Sequence, residues 1–478
     1  MKTLFYKSAL SAAIAASLIS CGGGSGVAGI GGSGFVATGA ITGFGSVFVN
    51  GVEFETSGTV FDIDDSGSGS QNDLAVGMVV TVNGTVNADG ITGNANSISF
   101  DDQLQGPVSG LTAPDPDGEK RSFTILGTTV RINALDTVFD VTGLLSGTAF
   151  DFDLIANGNS VEVSGFFNDA GELVATRVEL KASTFSTSDI VELKGSIFGL
   201  INTSFSVNGV NVDASGAAID DLPGGLTEGA SVEVKGTCSD LSCSTIIATR
   251  VEGQNGFDDA DKISVEGLIT DFVDSSNFKI NGIGVNATSA TTLSPTTLVL
   301  RDGLRVEVEG PISNNVIQAI SVELRGGSAK VHATVNSVDS ATGNFVVGVN
   351  ADTIDVTVTT ATQIEGTVSA NNFVRVRGFE NATGGITATR VEVRQDDDVI
   401  VQGNMSAFSG TTITLIGVSF QVDYNGGAGE TDFEDINDAP LTQGEFQTQA
   451  PLGTLVKVKD KNGQPVLGVA DEIEIELD

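Results

Sequence analysis

The chain has 478 residues, of which 61 are acidic and 23 are basic, so its formal net charge is −38. This excess of negative charge argues against nucleic acid as a partner, because phosphate contacts dominate that affinity and need basic patches. The composition also differs from that of a disordered acidic tail, since 40% of the residues are hydrophobic and alternate with polar ones.

The first twenty residues have the organisation of a secretion signal. Lys2 and Lys7 supply positive charge, and an apolar, alanine-rich segment follows over residues 8–19, too short to remain as a membrane-spanning helix. It ends in Leu18-Ile19-Ser20-Cys21, which resembles the lipobox of bacterial lipoproteins, where the cysteine is acylated after cleavage. An ordinary signal peptide with a chance cysteine is the alternative.

The resemblance to lipoproteins implies an address. We expect Cys21 to carry a stable lipid anchor. Gly22 takes the place where an aspartate suggests inner-membrane retention, so the outer membrane is favoured, with the domains facing the periplasm or the cell exterior. Cleavage removes two lysines and leaves 21 basic against 61 acidic residues, a charge of −40, which repels anionic lipid surfaces.

Residues 21–38 are rich in glycine and predict a flexible tether. Within them, residues 29–34 match the G-x-G-x-x-G pattern of dinucleotide-binding folds. That pattern needs a preceding strand and a following helix, and neither is readable here, so we interpret the match as part of the tether.

A β-pattern then repeats six times to the end of the chain. Its clearest element is an alternating strand closed by glycine, as in Val161-Glu162-Val163-Ser164-Gly165. Five such glycines occur, and a degraded form without one occupies residues 455–459; the glycines are Gly84, Gly165, Gly236, Gly310 and Gly378. Their spacings of 81, 71, 74 and 68 residues indicate tandem small domains rather than a solenoid.

Each repeat is predicted to hold five strands. The second and third form a hairpin such as Phe205 to Val212, whose Asn208-Gly209 turn is a strong type I′ signal. The fifth reads Ala-Thr-Arg-Val-Glu, as at residues 175–179 and 248–252, with the alternation of a half-buried strand.

The fold class predicted is all-β: six tandem, five-stranded, antiparallel OB-like barrels with no significant helix beyond the signal peptide. Small β-sandwiches are the alternative. Because single units this small are marginally stable, neighbouring repeats should pack end to end or exchange a strand. The predicted repeats span residues 39–102, 103–182, 190–254, 262–327, 329–395 and 398–478.

The Asn-Gly hairpin, the glycine-closed strand and the Ala-Thr-Arg-Val-Glu strand together resemble the tandem domain-of-unknown-function family 5666, found on lipoproteins of Gram-negative bacteria. The resemblance covers nearly the whole mature chain. Repeat 2 departs through Leu126-Gly127 in place of Asn-Gly, and repeat 6 through a long acidic insertion. The family implies no activity and no functional residues.

Cys238 and Cys243 flank a predicted turn. A hairpin disulfide is favoured over a metal-binding pair, in keeping with an oxidising compartment. With Cys21 acylated, no thiol is left for catalysis.

Two acidic clusters lie at predicted repeat boundaries, where an ion could stiffen the junction between barrels. Their closely spaced carboxylates suit calcium, the one cofactor that the sequence suggests, although none fits an EF-hand loop. Solvated charges that keep the protein soluble are the alternative. The candidate ligands are Asp258, Asp259, Asp261, Asp396, Asp397 and Asp398.

Catalytic candidates are few. His332 is the only histidine, and its alternating surroundings predict an edge or surface strand. Arg177, Arg250 and Arg390 recur in the fifth strand; we expect them to pair with glutamates of the neighbouring strand, such as Glu162 or Glu233, rather than to contact a ligand.

The sequence thus predicts a non-enzymatic, outer-membrane-anchored lipoprotein that acts as a structural or ligand-binding spacer in the cell envelope. Its partners would be the outer membrane and an unidentified envelope protein or glycan. The alternative is a calcium-dependent adhesion or carbohydrate-processing accessory that uses the acidic loops.

Overall fold

The structure is a computed structural model that describes residues 34–64, 68–115, 120–134, 136–141, 145, 147–254, 260–294, 298–325, 329–358, 362–381, 384–395, 398–423, 430–436, 439–461 and 468–476. Within these ranges nearly all regular structure is β. The described exceptions are 3₁₀ residues at Gln71–Asp73 and at Leu145, and one short α-helix, α1, Gln443–Gln449.

The strands fall into six repeats, of which repeat 4 has five strands and the others have one or two additional short ones. Repeat 1 has β1 (Phe35–Phe44), β2 (Val47–Val49), β3 (Val52–Glu55), β4 (Val60–Ile63), β5 (Val79–Val86) and β6 (Thr92–Phe100). Repeat 2 has β7 (Leu104–Pro107), β8 (Lys120–Ile125), β9 (Thr128–Asn133), β10 (Val138–Val141), β11 (Ser160–Phe167) and β12 (Leu173–Ala182). Repeat 3 has β13 (Ile190–Ser196), β14 (Phe198–Ile201), β15 (Ser204–Val207), β16 (Val210–Asp213), β17 (Ala218–Asp220), β18 (Ser231–Cys238) and β19 (Thr245–Gly253).

The second half of the chain continues the series. Repeat 4 has β20 (Ala260–Asp274), β21 (Asn277–Ile280), β22 (Ile283–Ser294), β23 (Arg305–Ser313) and β24 (Val316–Leu324). Repeat 5 has β25 (Ala329–Val338), β26 (Phe345–Val349), β27 (Asp352–Thr357), β28 (Gln363–Glu365), β29 (Phe373–Glu380) and β30 (Ile386–Arg394). Repeat 6 has β31 (Val399–Phe408), β32 (Thr412–Leu415), β33 (Val418–Gln421), β34 (Asp432–Glu434), β35 (Pro440–Leu441), β36 (Leu455–Asp460) and β37 (Glu472–Ile475).

Each repeat closes its strands into a small barrel, and repeat 4 shows the order most simply. β20 pairs with β21 and β21 with β22, both antiparallel; β22 then runs parallel to β24, and β23 pairs with both β24 and β20. The parallel pairing of the third strand with the last is the one departure from an antiparallel barrel. The prediction of tandem OB-like barrels is confirmed.

A bulge opposite glycine explains two of the repeated sequence patterns together. In repeat 2, Ser164 faces Arg177 while Gly165 faces Ala175, so Thr176 is the extra residue of the bulge. A Cβ added to Gly165 would overlap the carbonyl group of Val174. The Val-x-Val-x-Gly strand and the Ala-Thr-Arg-Val-Glu strand are therefore two sides of one bulged pair, which increases the strand bending that barrel closure needs.

The Asn-Gly turn has a second role beyond its positive φ angles. In repeat 4, Asn281 has φ +48°, and its Nδ2 donates to the carbonyl oxygen of Glu266 at 2.7 Å. The side chain lies over Gly267, where a Cβ would collide with it. The hairpin is thus pinned against the first strand of its own barrel, which fixes the register of the three strands.

The repeats are joined into pairs through their first strands. β7 pairs with β13 and β25 with β31, both antiparallel, so repeats 2 and 3 and repeats 5 and 6 share continuous sheets. Repeat 1 pairs instead with repeat 4: β1 runs parallel to β20, with Val36 opposite Ile263 and Thr38 opposite Val265. Packing of neighbours was predicted, but this pairing of repeats distant in sequence was not.

The first strand begins earlier than predicted. β1 starts at Phe35 rather than Gly39, so the tether prediction is wrong for residues 35–38. The reason is burial on both faces: Phe35 and Ala37 belong to the core of repeat 1, whereas Val36 packs in the core of repeat 4. Repeats 1 and 4 thus keep separate cores, whereas repeats 2 and 3 share one continuous hydrophobic core, as do repeats 5 and 6.

Candidate functional site

Charged side chains are buried where the repeats meet. They lie on the outer faces of the barrel strands, which would face solvent in an isolated repeat but are covered here by other repeats. Two groups stand out. The first group, which we call the acidic junction, consists of six carboxylates and three lysines: Asp64, Asp101, Asp102, Glu162, Glu192, Glu233, Lys181, Lys194 and Lys235. The second group, which we call the basic junction, consists of five basic side chains and one carboxylate: Lys330, His332, Arg375, Arg377, Arg390 and Asp136.

The acidic junction is built by the sheet that joins repeats 2 and 3. Strand registers place Glu162 of β11 opposite Gln105 of β7, Gln105 opposite Glu192 of β13, and Glu192 opposite Lys235 of β18. This forms one polar row across four strands. Asp101 and Asp102 lie in the connection between repeats 1 and 2, beside this row, and Asp64 follows β4 of repeat 1.

The lysines neutralise only part of the acidic charge. Lys194 lies 3.1 Å from both Asp101 Oδ2 and Glu233 Oε2, Lys235 lies 3.0 Å from Glu192 Oε2, and Lys181 lies 2.8 Å from Glu162 Oε2. Six carboxylates therefore face three lysines. Burying an excess of like charge is costly, so such a group must take up protons or a cation, or distort.

The pKa values follow this imbalance. Burial, reinforced by Glu162, raises the pKa of Asp102 well above its usual range. Burial and the neighbouring Asp102 do the same to the pKa of Glu192. Burial also raises the pKa of Glu233 to about 10, against the opposing effect of Lys194. Burial and the neighbouring carboxylates thus both oppose ionisation of carboxyl groups in this junction.

The basic junction lies between repeats 5 and 2. Lys330 Nζ reaches across to Asp136 Oδ2 at 2.7 Å, and Arg377 Nε lies 3.3 Å from Asp136 Oδ1. His332 and the three arginines line a small cavity beside this pair. The prediction that His332 lies on an edge or surface strand is wrong: it is 2% exposed, because β25 has a strand on each side and its outer face is covered.

Repeats 1 and 4 also meet through polar contacts, in addition to the acidic and basic junctions between other pairs of repeats. Asn50 Nδ2 of repeat 1 donates to Ser264 Oγ of repeat 4 at 2.6 Å, and Arg325 Nη2 of repeat 4 donates to the carbonyl oxygen of Asn50 at 3.1 Å. Glu266 Oε2 accepts from the backbone amide of Ala40 at 2.8 Å. Hydrogen bonds therefore reinforce the β1–β20 pairing.

The recurrent arginines of the fifth strand form ion pairs, but not with the residues predicted. Arg177 pairs with Asp140 at 2.8 Å and with Glu179 at 3.1 Å; Arg250 repeats this with Asp220 and Glu252. In both repeats, one partner is an aspartate on the short strand that runs parallel to the arginine's own strand. The other partner is the glutamate two residues after the arginine. Glu162 and Glu233 pair instead with Lys181 and Lys194.

The other predicted site residues are scattered. Cys21 lies outside the described residues, as do Asp258, Asp259, Asp396, Asp397 and the side chain of Asp261. Asp398 lies 3.8 Å from Lys459 Nζ. Cys238 and Cys243 are both buried, and the structure joins them in a disulfide with a Cα–Cα distance of 4.8 Å.

Sequence reasoning missed the acidic and basic junctions. Glu162, Glu192 and Glu233 occupy polar positions of alternating strands, which normally face solvent. The available signal was the recurrence of a charged residue at the same strand position in repeats 2 to 6, but only tertiary packing shows that these faces are covered.

Comparison with known protein families identifies the family of the chain. The profile described as Domain of unknown function (DUF5666) matches five successive segments: 33–98, 105–179, 194–252, 266–323 and 332–392. The chain belongs to this family. Its five matched DUF5666 segments correspond to the first five barrels, and the structure adds a sixth, divergent barrel from Val399 to Ile475.

The remaining comparisons add little. No curated protein matches the chain. Among solved structures, the chain titled "drosophila Unr CSD456" is 12% identical, with 62% of this chain and 98% of that chain covered, but the TM-score is 0.12. That score is too low to support any argument. Among the residues described, no helix has the length and apolar character needed to cross a membrane.

Proposed function

We propose that this DUF5666 protein is a lipid-anchored, non-enzymatic structural spacer of the outer membrane, whose six barrels act as one rigid body. The observation that carries the proposal is the pairing of β1 with β20. It links repeats 1 and 4 although two whole repeats separate them in sequence, so the chain folds back on itself instead of forming a flexible string.

Contacts between other distant repeats support the same view. Lys330 of repeat 5 pairs with Asp136 of repeat 2, and Lys120 of repeat 2 pairs with Glu474 of repeat 6. Buried charges tolerate little displacement, because loss of one partner leaves the other uncompensated. A spacer held in this way would keep its shape on a lipid anchor.

A structural role also agrees with the chemistry of the buried groups. The histidine is enclosed, and burial together with nearby Arg375 and Lys330 lowers its pKa well below the usual range, which suits packing rather than proton transfer to a substrate. The basic cavity holds one carboxylate, Glu392, among cations, so it does not offer the carboxylate pair that glycoside hydrolysis needs. An adhesion or carbohydrate-processing role is therefore less favoured.

Anchoring is tested by metabolic labelling with an alkyne fatty acid in a Gram-negative host, followed by membrane fractionation. We expect the wild-type protein to carry the label and to sediment with outer membranes, and Cys21→Ser to lose both. Label retained by Cys21→Ser, or a wild-type protein found in the cytoplasm, would contradict the proposal.

A further inference from the structure

A triad of carboxylates lies at the connection between repeats 1 and 2. Asp64 follows the last residue of β4, Asp102 lies in the segment that leads into β7, and Glu162 is on β11 of repeat 2. One oxygen from each carboxylate lies within 4.8 Å of the others. Two different barrels therefore converge on one point.

Burial and charge set this triad apart from surface acidic clusters. Asp102 is 1% exposed and Glu162 is 3% exposed, and Asp102 Oδ1 has no hydrogen-bond partner. A buried carboxylate oxygen left without a partner is costly. Lys181 pairs with Glu162 at 2.8 Å, which leaves Asp102 as the buried carboxylate of the triad with an oxygen that lacks a hydrogen-bond partner.

The neighbouring triad of Asp101, Glu192 and Glu233 provides a useful contrast. Its oxygens also lie within 4.8 Å of one another, but each of its carboxylates lies within 3.1 Å of a lysine. The ammonium groups of two lysines, Lys194 and Lys235, thus already contact the carboxylates of this second triad.

We propose that Asp64, Asp102 and Glu162 bind one hard divalent cation, of the calcium class, which bridges repeats 1 and 2. Carboxylate oxygens are the ligands that calcium prefers, and water completes its shell of six to eight oxygens. Asp64 is exposed and gives the ion a path from solvent. Ser160 and Ser164 flank Glu162 on the same face of β11, and their buried hydroxyl oxygens lack hydrogen-bond partners, so they offer further neutral oxygens beside the site.

This site differs from the acidic clusters at Asp258–Asp261 and Asp396–Asp398, which the sequence suggested. Those lie between repeats 3 and 4 and between repeats 5 and 6. The distinction matters for the experiment, because calcium binding to the whole protein could arise from either place.

The test is calorimetric titration of chelator-treated protein, residues 22–478, with calcium chloride at pH 7.5, with unfolding followed by circular dichroism. Wild type should bind calcium and melt about 2–4 °C higher at saturating calcium. Asp102→Asn should bind at least tenfold more weakly and lose the shift. The triple variant Asp396→Asn/Asp397→Asn/Asp398→Asn is the matched control and should respond as wild type does.

Two results would overturn the inference. One is an absence of calcium binding by the wild type. The other is a calcium response that survives Asp102→Asn; its loss in the control variant would place the ion at Asp396–Asp398 instead. If Asp102→Asn does not fold, Asp64→Asn replaces it, because this ligand is exposed and the substitution removes its charge at nearly constant size. The anchoring experiment is independent of either result.

Discussion

Gly165 lies directly against the backbone of the adjacent strand: a Cβ built on it would be 2.9 Å from the carbonyl carbon of Val174 and 3.0 Å from Cα of Ala175. Backbone atoms cannot move aside as the end of a flexible side chain can. This contact recurs at the closing glycine of each of the first five repeats, so the repeated sequence pattern records one steric requirement.

Gly165→Ala should therefore destabilise repeat 2 by about 1–3 kcal/mol, the usual cost of overpacking. The measurement is urea unfolding followed by circular dichroism. Gly216→Ala is the matched control, because an added Cβ there meets nothing within 4 Å. Equal stability of the two variants would show that the bulge does not need glycine.

Repeat 6 departs from this pattern in its sequence. Its equivalent strand ends in Lys459-Asp460 with no glycine. The β36–β37 pairing ends at Lys459 and Glu472, before the position at which the other repeats bulge.

The turn asparagine of repeat 4 gives a second prediction. Asn281→Ala removes the 2.7 Å hydrogen bond to the Glu266 carbonyl oxygen and places alanine at a positive φ, so we expect a loss of about 1–2 kcal/mol. Asn281→Gly keeps the favourable turn and loses only the hydrogen bond. It should cost less than alanine in the same unfolding assay; the reverse order would contradict this account of the turn.

The local patterns were sufficient to predict the barrel. Alternation, the Asn-Gly turns and strand number led to five-stranded OB-like units, since these features depend on neighbouring residues and on closure of a small sheet. The parallel pairing of the third and last strands was not predictable. The order of strands in a sheet depends on contacts between strands, and the sequence of one strand does not determine which other strand it pairs with.

The arrangement of the barrels was beyond the sequence patterns. Val36 looked like part of a tether, yet it packs in the core of repeat 4. His332 was predicted to lie on an edge or surface strand, and Glu192 occupies a polar position of an alternating strand, yet both are buried. In each case the deciding fact is which distant repeat covers the strand, and periodicity within one strand carries no information about that.

The pH dependence of stability should reveal the buried histidine. The folded pKa of His332 lies well below 6.5, because of burial and of the charges on Arg375, Lys330, Lys457 and Lys459. The unfolded state therefore binds a proton that the folded state does not, and stability is lost as pH falls below about 6.5, by about 1.4 kcal/mol per pH unit.

His332→Gln removes this linkage. The difference in unfolding free energy between wild type and variant should shift in favour of the variant by about 1.4 kcal/mol between pH 6 and pH 5. Other titrating groups contribute equally to the unfolding free energies of both proteins, so their contributions cancel in this difference. A difference that stays constant over this range would mean that His332 is protonated or accessible in the folded protein.

The contact between repeats 2 and 5 can be measured by a double-mutant cycle. Lys330 and Asp136 are 194 residues apart in sequence and 2.7 Å apart in space. Lys330→Met and Asp136→Leu should each destabilise, since each leaves a buried charge without this partner. Their coupling energy should be at least about 1 kcal/mol; additive effects would mean that the two repeats do not touch.

The central claim is that the tandem barrels form one packed body, and small-angle X-ray scattering of residues 22–478 tests it most directly. A packed chain of this length should have a radius of gyration of about 22–30 Å. Six barrels strung in line, each about 28 Å across, would give about 50 Å. A value in the first range supports the pairing of repeats 1 and 4, and a value near the second would contradict it.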